Sequence, residues 1–342
     1  MPVASGKITI SDVAREAGVS IATVSRVIQG KPTVSPDLAR RVQEVARHLG
    51  YRPSPMARGL ATGATGMVGI LVPQLSNPYF YEVIKAIGAG AGQDGFRMLV
   101  LESDERVADE PDLAASLYVH ADGVILCSPR MSDDDLARLA VDRPRLLCVN
   151  RIPQGGHPPG VACDTFSPMF EICRHLAGLG HRRVVYLAGA PHSWVNAERW
   201  RAVQHAATLG LEPLLVQAGP TIEAGYAATD TALVLEPTAL IAANDLCAVG
   251  ALTRLRELGR RVPQDVSLTG FDDIPFSRHT YPALTTARLP RAEMGEEVWA
   301  VMRSVMAGGA PPSRILTTAE MLVRGSTGPA PGGDPLPGPA SG

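Results

Sequence analysis

The chain has 342 residues, of which 45% are apolar, and a formal net charge of −2. This length fits two or three domains, and the absence of any apolar run of 18 residues excludes a membrane span. The first 30 residues lack the continuous apolar segment of a signal peptide, which predicts a cytoplasmic protein. The five cysteines are scattered without a CxxC pair, so buried free thiols are expected rather than a disulfide framework or a zinc site.

Charge is unevenly distributed along the chain. Residues 1–62 carry nine Lys and Arg and four Asp and Glu, a net charge of +5, which leaves −7 for the remainder. A small basic segment on an acidic body favours contact of that segment alone with a polyanion such as nucleic acid. An ordinary solvated surface would explain the same split.

Two short helices are predicted near the N-terminus. Residues 9–12 have the pattern of a capping box, and Gly18 is expected to end the helix that follows. Ser20 is expected to cap a second helix over residues 21–28. Because about three residues separate the two helices, they must cross steeply.

A third helix is predicted after Ser35, which is the expected N-cap, with Pro36 at the first helical position and Gly50 at the end. One apolar stripe runs along it, formed by Leu38, Val42, Val45, Ala46 and Leu49. Three short helices around one small core predict a helix-turn-helix unit, with a bundle that binds no ligand as the alternative.

The outer face of the second helix carries short polar and apolar side chains that fit the major groove of B-DNA. These are Ile21, Ala22, Thr23, Ser25, Arg26 and Gln29. Ile21 and Ala22 suit thymine methyl groups, and Arg26 suits guanine or a phosphate. The helix N-terminus at Ser20 is itself a candidate phosphate site.

The run ITISDVAREAGVSIATVSRVI at residues 8–28, with VSP at 34–36 and LGYRP at 49–53, resembles the lactose/galactose repressor family. The similarity extends to about residue 325. It implies a transcription regulator, most often a repressor, that binds double-stranded palindromic operator DNA as a homodimer under the control of a small polar, sugar-like effector. It also implies base-reading roles for Ile21, Ala22 and Arg26, and DNA-backbone contacts from Thr9, Ser20, Thr23, Ser25, Gln29 and Ser35.

Residues 51–66 have the composition of a linker, since they include two prolines and several glycines. The family resemblance implies a hinge that becomes helical on the operator, with Leu60 wedged into the minor groove. Ser54 and Gly59 stand where the family often has asparagine and serine. Because glycine inside a helix costs about 1 kcal/mol relative to alanine, the hinge is expected to be disordered without DNA.

From residue 67 onwards, short apolar runs alternate with helical stretches, which predicts an α/β body of parallel sheets with helices on both faces. Strands are predicted at 67–72, 96–101, 124–127, 145–149, 184–187, 214–216, 239–242 and 267–270. The predicted helical stretches between them include 80–93, 167–179, 197–209 and 246–258. About 260 residues favour two lobes, and the resemblance implies the fold of periplasmic sugar-binding proteins. The expected lobes are 67–162 with 288–316 and 163–287 with 317–325, followed by a disordered tail at 326–342.

Ligands of open parallel sheets bind at the carboxyl ends of the strands. The resemblance places effector-site positions at Tyr79, Phe80, Ser128, Asn150, Arg199, Asn244 and Asp272, and the strand ends add Ser193 and Asp245. Asp245 has helix capping as an alternative role, and Asp273 is expected to be a surface or capping acid. Asn150 and Thr221 depart from the aspartate and the aromatic residue of several family members, which leaves the identity of the effector open.

Two competing interpretations are weaker. The GxGxxG pattern at 90–95 would indicate an enzyme that binds a dinucleotide, but it ends a helix and precedes a strand, which is the reverse of the required order. No catalytic motif is found, and neither a metal nor a cofactor is expected. A solute-binding protein of a transport system would share the body but not the basic head. Helices near 79–91 and 291–305 are the candidate dimer interface.

Overall fold

The computed structural model describes residues 8–28, 33–51 and 64–331, and the chain divides after Gly66 into a head and a body. The head contains α1 (Ile10–Ala17), α2 (Ile21–Ile28) and α3 (Pro36–His48). The predicted capping box is present, since the Thr9 hydroxyl accepts from the Asp12 backbone and the Asp12 carboxylate accepts from the Thr9 backbone. Gly18 ends α1 in the left-handed conformation, as the sequence predicts.

The core of the head takes one fully buried valine from each helix: Val13, Val24 and Val42. Leu38, expected in this core, is only half-buried, and Val42 is the one residue of α3 that is fully enclosed. The predicted hinge falls almost entirely outside the described residues, as do Gln29 and Leu60. Their expected roles in DNA binding stay predictions.

The body is built on two parallel sheets, which define two lobes. The N-lobe sheet contains β1 (Met67–Val72), β2 (Arg97–Glu102), β3 (Gly123–Cys127), β4 (Leu146–Val149), β5 (Gly160–Cys163) and β11 (Arg314–Leu316), in the order β11-β5-β4-β3-β1-β2. The C-lobe sheet contains β6 (Arg183–Ala188), β7 (Glu212–Gln217), β8 (Ala239–Ala242) and β9 (Ser267–Thr269), in the order β7-β6-β8-β9. Central strands such as β3 and β8 are apolar and buried throughout, as expected for strands covered on both faces.

Helices cover both sheets. They are α4 (Pro78–Gln93), α5 (Glu110–His120), α6 (Asp133–Asp142), α7 (Phe166–Gly178), α8 (Trp194–His205), α9 (Ile222–Val234), α10 (Asp245–Glu257) and α11 (Arg291–Met306). Single 3-10 turns lie at Val107–Asp109, Gln154–Gly156, Ala206–Leu209 and Pro275–Arg278. Within the described part of the chain, no helix combines the length and the apolar character that a membrane crossing requires.

The chain passes between the lobes three times: after β5, before α11 and after β11. The last two crossings are joined by an antiparallel ribbon of β10 (Thr286–Arg288) and β12 (Glu320–Leu322). The disordered tail predicted from residue 326 starts too early, because Ser326 is fully buried and exchanges hydrogen bonds with Leu268. Its backbone extends the C-lobe next to β9, and Ala330 donates to the Leu179 carbonyl at 2.9 Å.

Helices α4 and α11 pack closely through small residues. A Cβ atom on Gly90 would lie 2.7 Å from Cδ1 of Trp299, and one on Gly295 would overlap Ala86. The Trp299 indole donates to the Asp94 carboxylate at 2.7 Å, just after α4 ends. Of the glycines in the GxGxxG pattern, Gly90 therefore makes room for the helix contact, and Gly95, with a φ of +80°, lies just beyond the end of the helix.

Helices α9 and α10 approach so closely that their backbones touch, which makes Gly250 a sensitive position. A Cβ atom there would overlap the Ile222 carbonyl and lie 2.7 Å from the Tyr226 nitrogen, and a backbone has no rotamer by which to move away. Gly250→Ala is expected to lower the free energy of unfolding by about 1–3 kcal/mol. Urea denaturation measures the change.

The matched control for this substitution is Gly92→Ala. Gly92 lies in α4, and a Cβ atom on it would have no atom within 4 Å. Alanine is there expected to stabilise the protein by up to about 1 kcal/mol, because it reduces the freedom of the unfolded chain. Equal effects of the two substitutions would contradict the close packing of α9 on α10.

Candidate functional site

The first candidate site is the outer face of α2. Ile21, Ala22 and Arg26 are exposed, with Ile21 at 50%, while the opposite face is buried through Val24 and Val27. Thr23 and Ser25 are half-buried on the flanks. An exposed isoleucine at the start of a short helix gains nothing from the core of the head, so this face is available for an external contact.

Helix N-termini add to this surface. The Ser20 hydroxyl accepts from the Thr23 backbone at 3.1 Å and caps α2 as predicted. Thr9 precedes α1 and Ser35 precedes α3, and both are exposed. Because the first backbone N–H groups of a helix have no partner within it, each terminus favours an anion such as phosphate.

The second candidate site is a cleft between the carboxyl ends of the two sheets. In each sheet the strand order reverses beside one strand, β1 in the N-lobe and β6 in the C-lobe, and the segments after both strands line the cleft. The space left between the lining side chains is about 60 Å³, room for only a few water molecules. Eight of the nine residues predicted for the effector site line it: Tyr79, Phe80, Ser128, Asn150, Ser193, Arg199, Asn244 and Asp272.

A buried ion pair forms the C-lobe side of the cleft. Nη2 of Arg199 donates to the Asp272 carboxylate at 3.2 Å, and the two residues are only 6% and 4% exposed. Nη1 donates to the Ala243 carbonyl, and the guanidinium lies 3.8 Å from the centre of the Phe271 ring. Burial raises the pKa of Asp272, while Arg199 opposes that shift by favouring the charged carboxylate.

The N-lobe side presents a tyrosine and an amide. The Tyr79 hydroxyl donates to Oδ1 of Asn150 at 3.1 Å, and burial raises the pKa of this phenol well above its usual value. On the other lobe, Asn244 caps α10 through the Cys247 backbone and donates to the Pro220 carbonyl at 2.9 Å. Both lobes therefore present neutral polar groups close to the arginine.

Three residues at strand ends lining the cleft have left-handed backbones although none is glycine. Their φ angles are +48° at Ser128, +58° at Asn150 and +107° at Asp272. Such conformations cost free energy and concentrate at functional sites. The strain aims these side chains into the cleft directly after β3 and β4 and three residues after β9.

Two buried polar atoms that line the cleft have no hydrogen-bond partner among the described residues: Nε of Arg199 and Oε1 of Gln74. One is a donor on the C-lobe, and the other is an acceptor on the N-lobe. Leaving such atoms unpaired costs about 1–3 kcal/mol each. A ligand whose groups both accept and donate, as hydroxyl groups do, would satisfy both atoms at once.

Asp245 does not line the cleft, in contrast to its predicted place in the effector site. Its carboxylate is fully buried and accepts from the Ser277 hydroxyl, from the Thr286 hydroxyl at 2.6 Å and from the Ile274 backbone at 2.9 Å. It therefore joins the start of α10 to β10, where the chain returns to the N-lobe. The sequence placed it next to Asn244 but could not say which way it points.

Asp245 gives stability a distinct dependence on pH. Burial and the charge of Asp272 raise its pKa from 3.8 to about 7. Since the folded chain then holds the proton more tightly than the unfolded chain, this group's stabilisation is complete below about pH 4 and is lost as the pH rises to about 7. Asp245→Asn is expected to remove a slope of up to about 1.4 kcal/mol per pH unit in that window. Denaturant unfolding of both proteins from pH 4.5 to 8 measures the difference, and parallel stability curves would contradict the assignment.

Asp273 is likewise not the surface or capping acid that the sequence indicates. It is 1% exposed and accepts from Arg324 at 2.6 Å and from Arg288 at 2.9 Å. Although burial raises its pKa, these arginines lower it by more. It fastens the β10–β12 ribbon to the end of β9.

Several lining residues were not found from the sequence: Gln74, Glu105, Arg130 and Asn196. Gln74 and Asn77, which also lines the cleft, closely follow β1 and fit the strand-end rule. Asn196 accepts from the Tyr186 hydroxyl at 2.8 Å and from the Gly189 backbone at 2.7 Å, contacts that only the fold reveals.

The cysteines offer no reactive site. All five are free and buried, as expected: Cys127, Cys148, Cys163, Cys173 and Cys247. Burial raises the pKa of each thiol to about 12. Among the described residues, no group of His, Cys, Asp and Glu is arranged to hold a metal ion.

Comparison with known families gives two matches. Residues 9–54 match the model for bacterial regulatory proteins of the lacI family, and residues 173–327 match the periplasmic binding protein-like domain. The first match covers all three helices of the head. The second covers most of the C-lobe together with α11 and β11.

Individual proteins are similar over nearly the whole chain. The transcriptional regulator GalS of Salmonella typhimurium is 35% identical over 84% of this chain and 87% of its own length. The transcriptional repressor CytR of Escherichia coli is 31% identical over 93% of this chain and 96% of its own. The structure of the regulator CelR in complex with cellobiose superposes with a TM-score of 0.66 at 27% identity, covering 93% of this chain and 99% of that one.

Proposed function

The chain belongs to the lacI family of bacterial regulatory proteins, and we propose from its two sites that it is a repressor controlled by a sugar-like effector. It is a DNA-binding transcriptional regulator with a helix-turn-helix head and is not an enzyme. Our proposal concerns the class of effector, the residues that contact the operator and the dimer.

The effector is a small polyhydroxylated molecule bound in the cleft. The observation that carries this assignment is the pair of unpaired polar atoms, Nε of Arg199 and Oε1 of Gln74, on opposite lobes. Hydroxyl groups pair with both atoms, and Asn150 and Asp272 provide further acceptors. The cellobiose bound by CelR supports the same ligand class. Ligand binding changes the angle between the lobes, and this change alters operator affinity.

The outer face of α2 reads the operator. Ile21, Ala22 and Arg26 contact base edges, and the helix N-termini at Thr9, Ser20 and Ser35 hold phosphates, together with Thr23, Ser25 and Gln29. Leu60 of the hinge enters the minor groove. The exposure of the first three side chains and the net charge of +5 over residues 1–62 support this arrangement.

A homodimer on a palindromic site completes the proposal. One head offers few base contacts, and two heads multiply both specificity and phosphate contacts. Helices α4 and α11 form the interface, and Tyr81, which is 58% exposed on α4, supplies apolar surface for it. A protein that acts on DNA in this way works in the cytoplasm. The alternative, a solute-binding protein of a transport system, is not favoured, because it gives no role to the head.

Operator binding by the full-length protein tests the proposal. A palindromic duplex is first selected from random DNA, and its affinity is then measured across a salt series with and without a panel of monosaccharides and disaccharides. The logarithm of affinity should fall steeply with that of salt, at about −0.9 per phosphate contact. One sugar should change affinity about 5- to 150-fold, the range of typical coupling. If no duplex is preferred at any salt concentration, the DNA assignment is wrong; if no sugar changes affinity or melting temperature, the effector class is wrong.

A further inference from the structure

Arg130 and Glu105 line the N-lobe end of the cleft and have no part in the proposed function so far. Arg130 lies three residues after β3, and Glu105 lies in the turn after β2. Arg130 is buried, with a side chain that is 6% exposed, while the Glu105 side chain is 25% exposed.

The two side chains form a bidentate ion pair. Nε of Arg130 donates to Oε2 of Glu105 and Nη2 donates to Oε1, both at 3.2 Å. Nη1 donates to the carbonyl of Ser128, itself a cleft residue. Each of the three side-chain nitrogens of Arg130 therefore already donates to a protein oxygen, in contrast to Arg199, whose Nε is unpaired.

A second carboxylate fixes the backbone of the loop that carries Arg130. Glu110, at the start of α5, is 2% exposed and accepts from the Arg130 backbone at 2.8 Å and from the Met131 backbone at 2.7 Å. The loop after β3 is thus fixed at its backbone as well as at the tip of its arginine. Groups held in this way cannot rotate aside without breaking several charge-assisted hydrogen bonds.

We propose that the Arg130–Glu105 pair is a rigid wall that sets the size limit of the effector, so that the cleft accepts one sugar ring and excludes a second. This inference rests on the proposed sugar effector. The space left in the cleft, about 60 Å³, is smaller than a sugar ring, so any ligand must open the lobes or displace side chains. The hydrogen bonds to Glu105, Ser128 and Glu110 keep Arg130 in place when other parts of the lining move. The paired arginine, each of whose side-chain nitrogens donates to a protein oxygen, acts as a specificity-determining residue through its bulk.

Two double variants separate bulk from charge. The Arg130→Ser, Glu105→Ser variant removes both side chains from the wall and leaves no unpaired charge. The Arg130→Gln, Glu105→Gln variant removes the charges and keeps much of the bulk. Asp133→Asn is the control, because it weakens the Arg151–Asp133 ion pair of 2.7 Å in the same lobe without touching the cleft lining.

The probes are matched pairs of sugars: galactose with lactose, and glucose with maltose and cellobiose. Dissociation constants come from calorimetry on the full-length protein, with melting temperatures as a check on folding. The wild type, the glutamine variant and the control should prefer a monosaccharide. The serine variant should bind a disaccharide of that same sugar at least tenfold more tightly than the wild type does.

Wild-type protein alone already decides part of the question, even if the serine variant fails to fold. If the wild type binds a disaccharide as tightly as its monosaccharide, the size limit does not exist. If the wild type binds a monosaccharide and a folded serine variant gains no affinity for the disaccharide, the Arg130–Glu105 pair does not set the size limit. The proposal of a sugar effector is then still supported. If the wild type binds none of the sugars, the proposed effector class itself fails, and the wall fails with it.

Discussion

Replacing Arg199 with methionine is expected to lower the free energy of unfolding by about 3–5 kcal/mol and to abolish the effector response. The stability loss follows because the substitution leaves the Asp272 carboxylate buried without its partner, and breaking one side of a buried pair is far more costly than removing both. The binding loss follows because the same side chain carries the unpaired Nε. Urea denaturation and sugar titrations of operator binding measure the two effects.

The double variant Arg199→Met, Asp272→Asn separates these effects. With both charges gone, most of the lost stability should return, since a buried pair replaced by neutral groups is often close to neutral in stability. The effector response should not return, because the donor is still missing. A double variant that recovers the response would show that Arg199 acts only through the stability of the C-lobe.

Arg26→Ala is expected to weaken binding to the selected operator by about 1–3 kcal/mol, which is roughly 5- to 150-fold. Arg26 is exposed in the last turn of α2, and the core of the head does not use it. If it reads guanine, the preference at one base pair should relax while the stability of the protein stays unchanged. Anisotropy titrations on the operator and on its single-base variants measure both quantities.

Arg138→Ala is the matched control for Arg26→Ala. Arg138 is an exposed helical arginine of the body, paired with Asp135 three residues earlier. Its removal should leave operator affinity within experimental error. If the two substitutions reduce affinity equally, the loss reflects general charge, and α2 does not read the DNA through Arg26.

Apolar strands bordered by turn residues were predictable from the sequence, whereas short charged strands and several helices were not. β1 and β8 match their predicted bounds residue for residue, because each is an apolar run bordered by turn residues. β10, β11 and β12 have three residues each and carry arginine or glutamate, so no periodicity identifies them. Helices α5, α6 and α9 were also missed. Two of them, α5 and α6, start in acidic segments, and α9 is rich in alanine and threonine. The short apolar stripe of α6, formed by Leu136, Leu139 and Ala140, was overlooked.

The lining of the cleft was predictable to the extent that it follows strand ends. Asn150 and Asp272 were found in this way, and their left-handed backbones explain how residues at strand ends turn into the cleft. Asp245 and Asp273 were misplaced, because each is the second of two adjacent polar residues and its side chain points away from the cleft. Arg130 was missed because its position depends on Glu105 and Glu110, which are 25 and 20 residues away.

The three passages of the chain between the lobes have a consequence for how proteins of this design diversify. The head ends at one point, near residue 66, so a single recombination junction exchanges operator specificity as a module. Neither lobe is a continuous segment: the N-lobe sheet takes strands from 67–163 and 314–316, and the C-lobe adds residues 326–330 to the segment that contains β6 to β9. Exchanging a whole lobe therefore requires three simultaneous junctions. Ligand preference should accordingly change by point substitution in the cleft, and DNA preference by transplantation of the head.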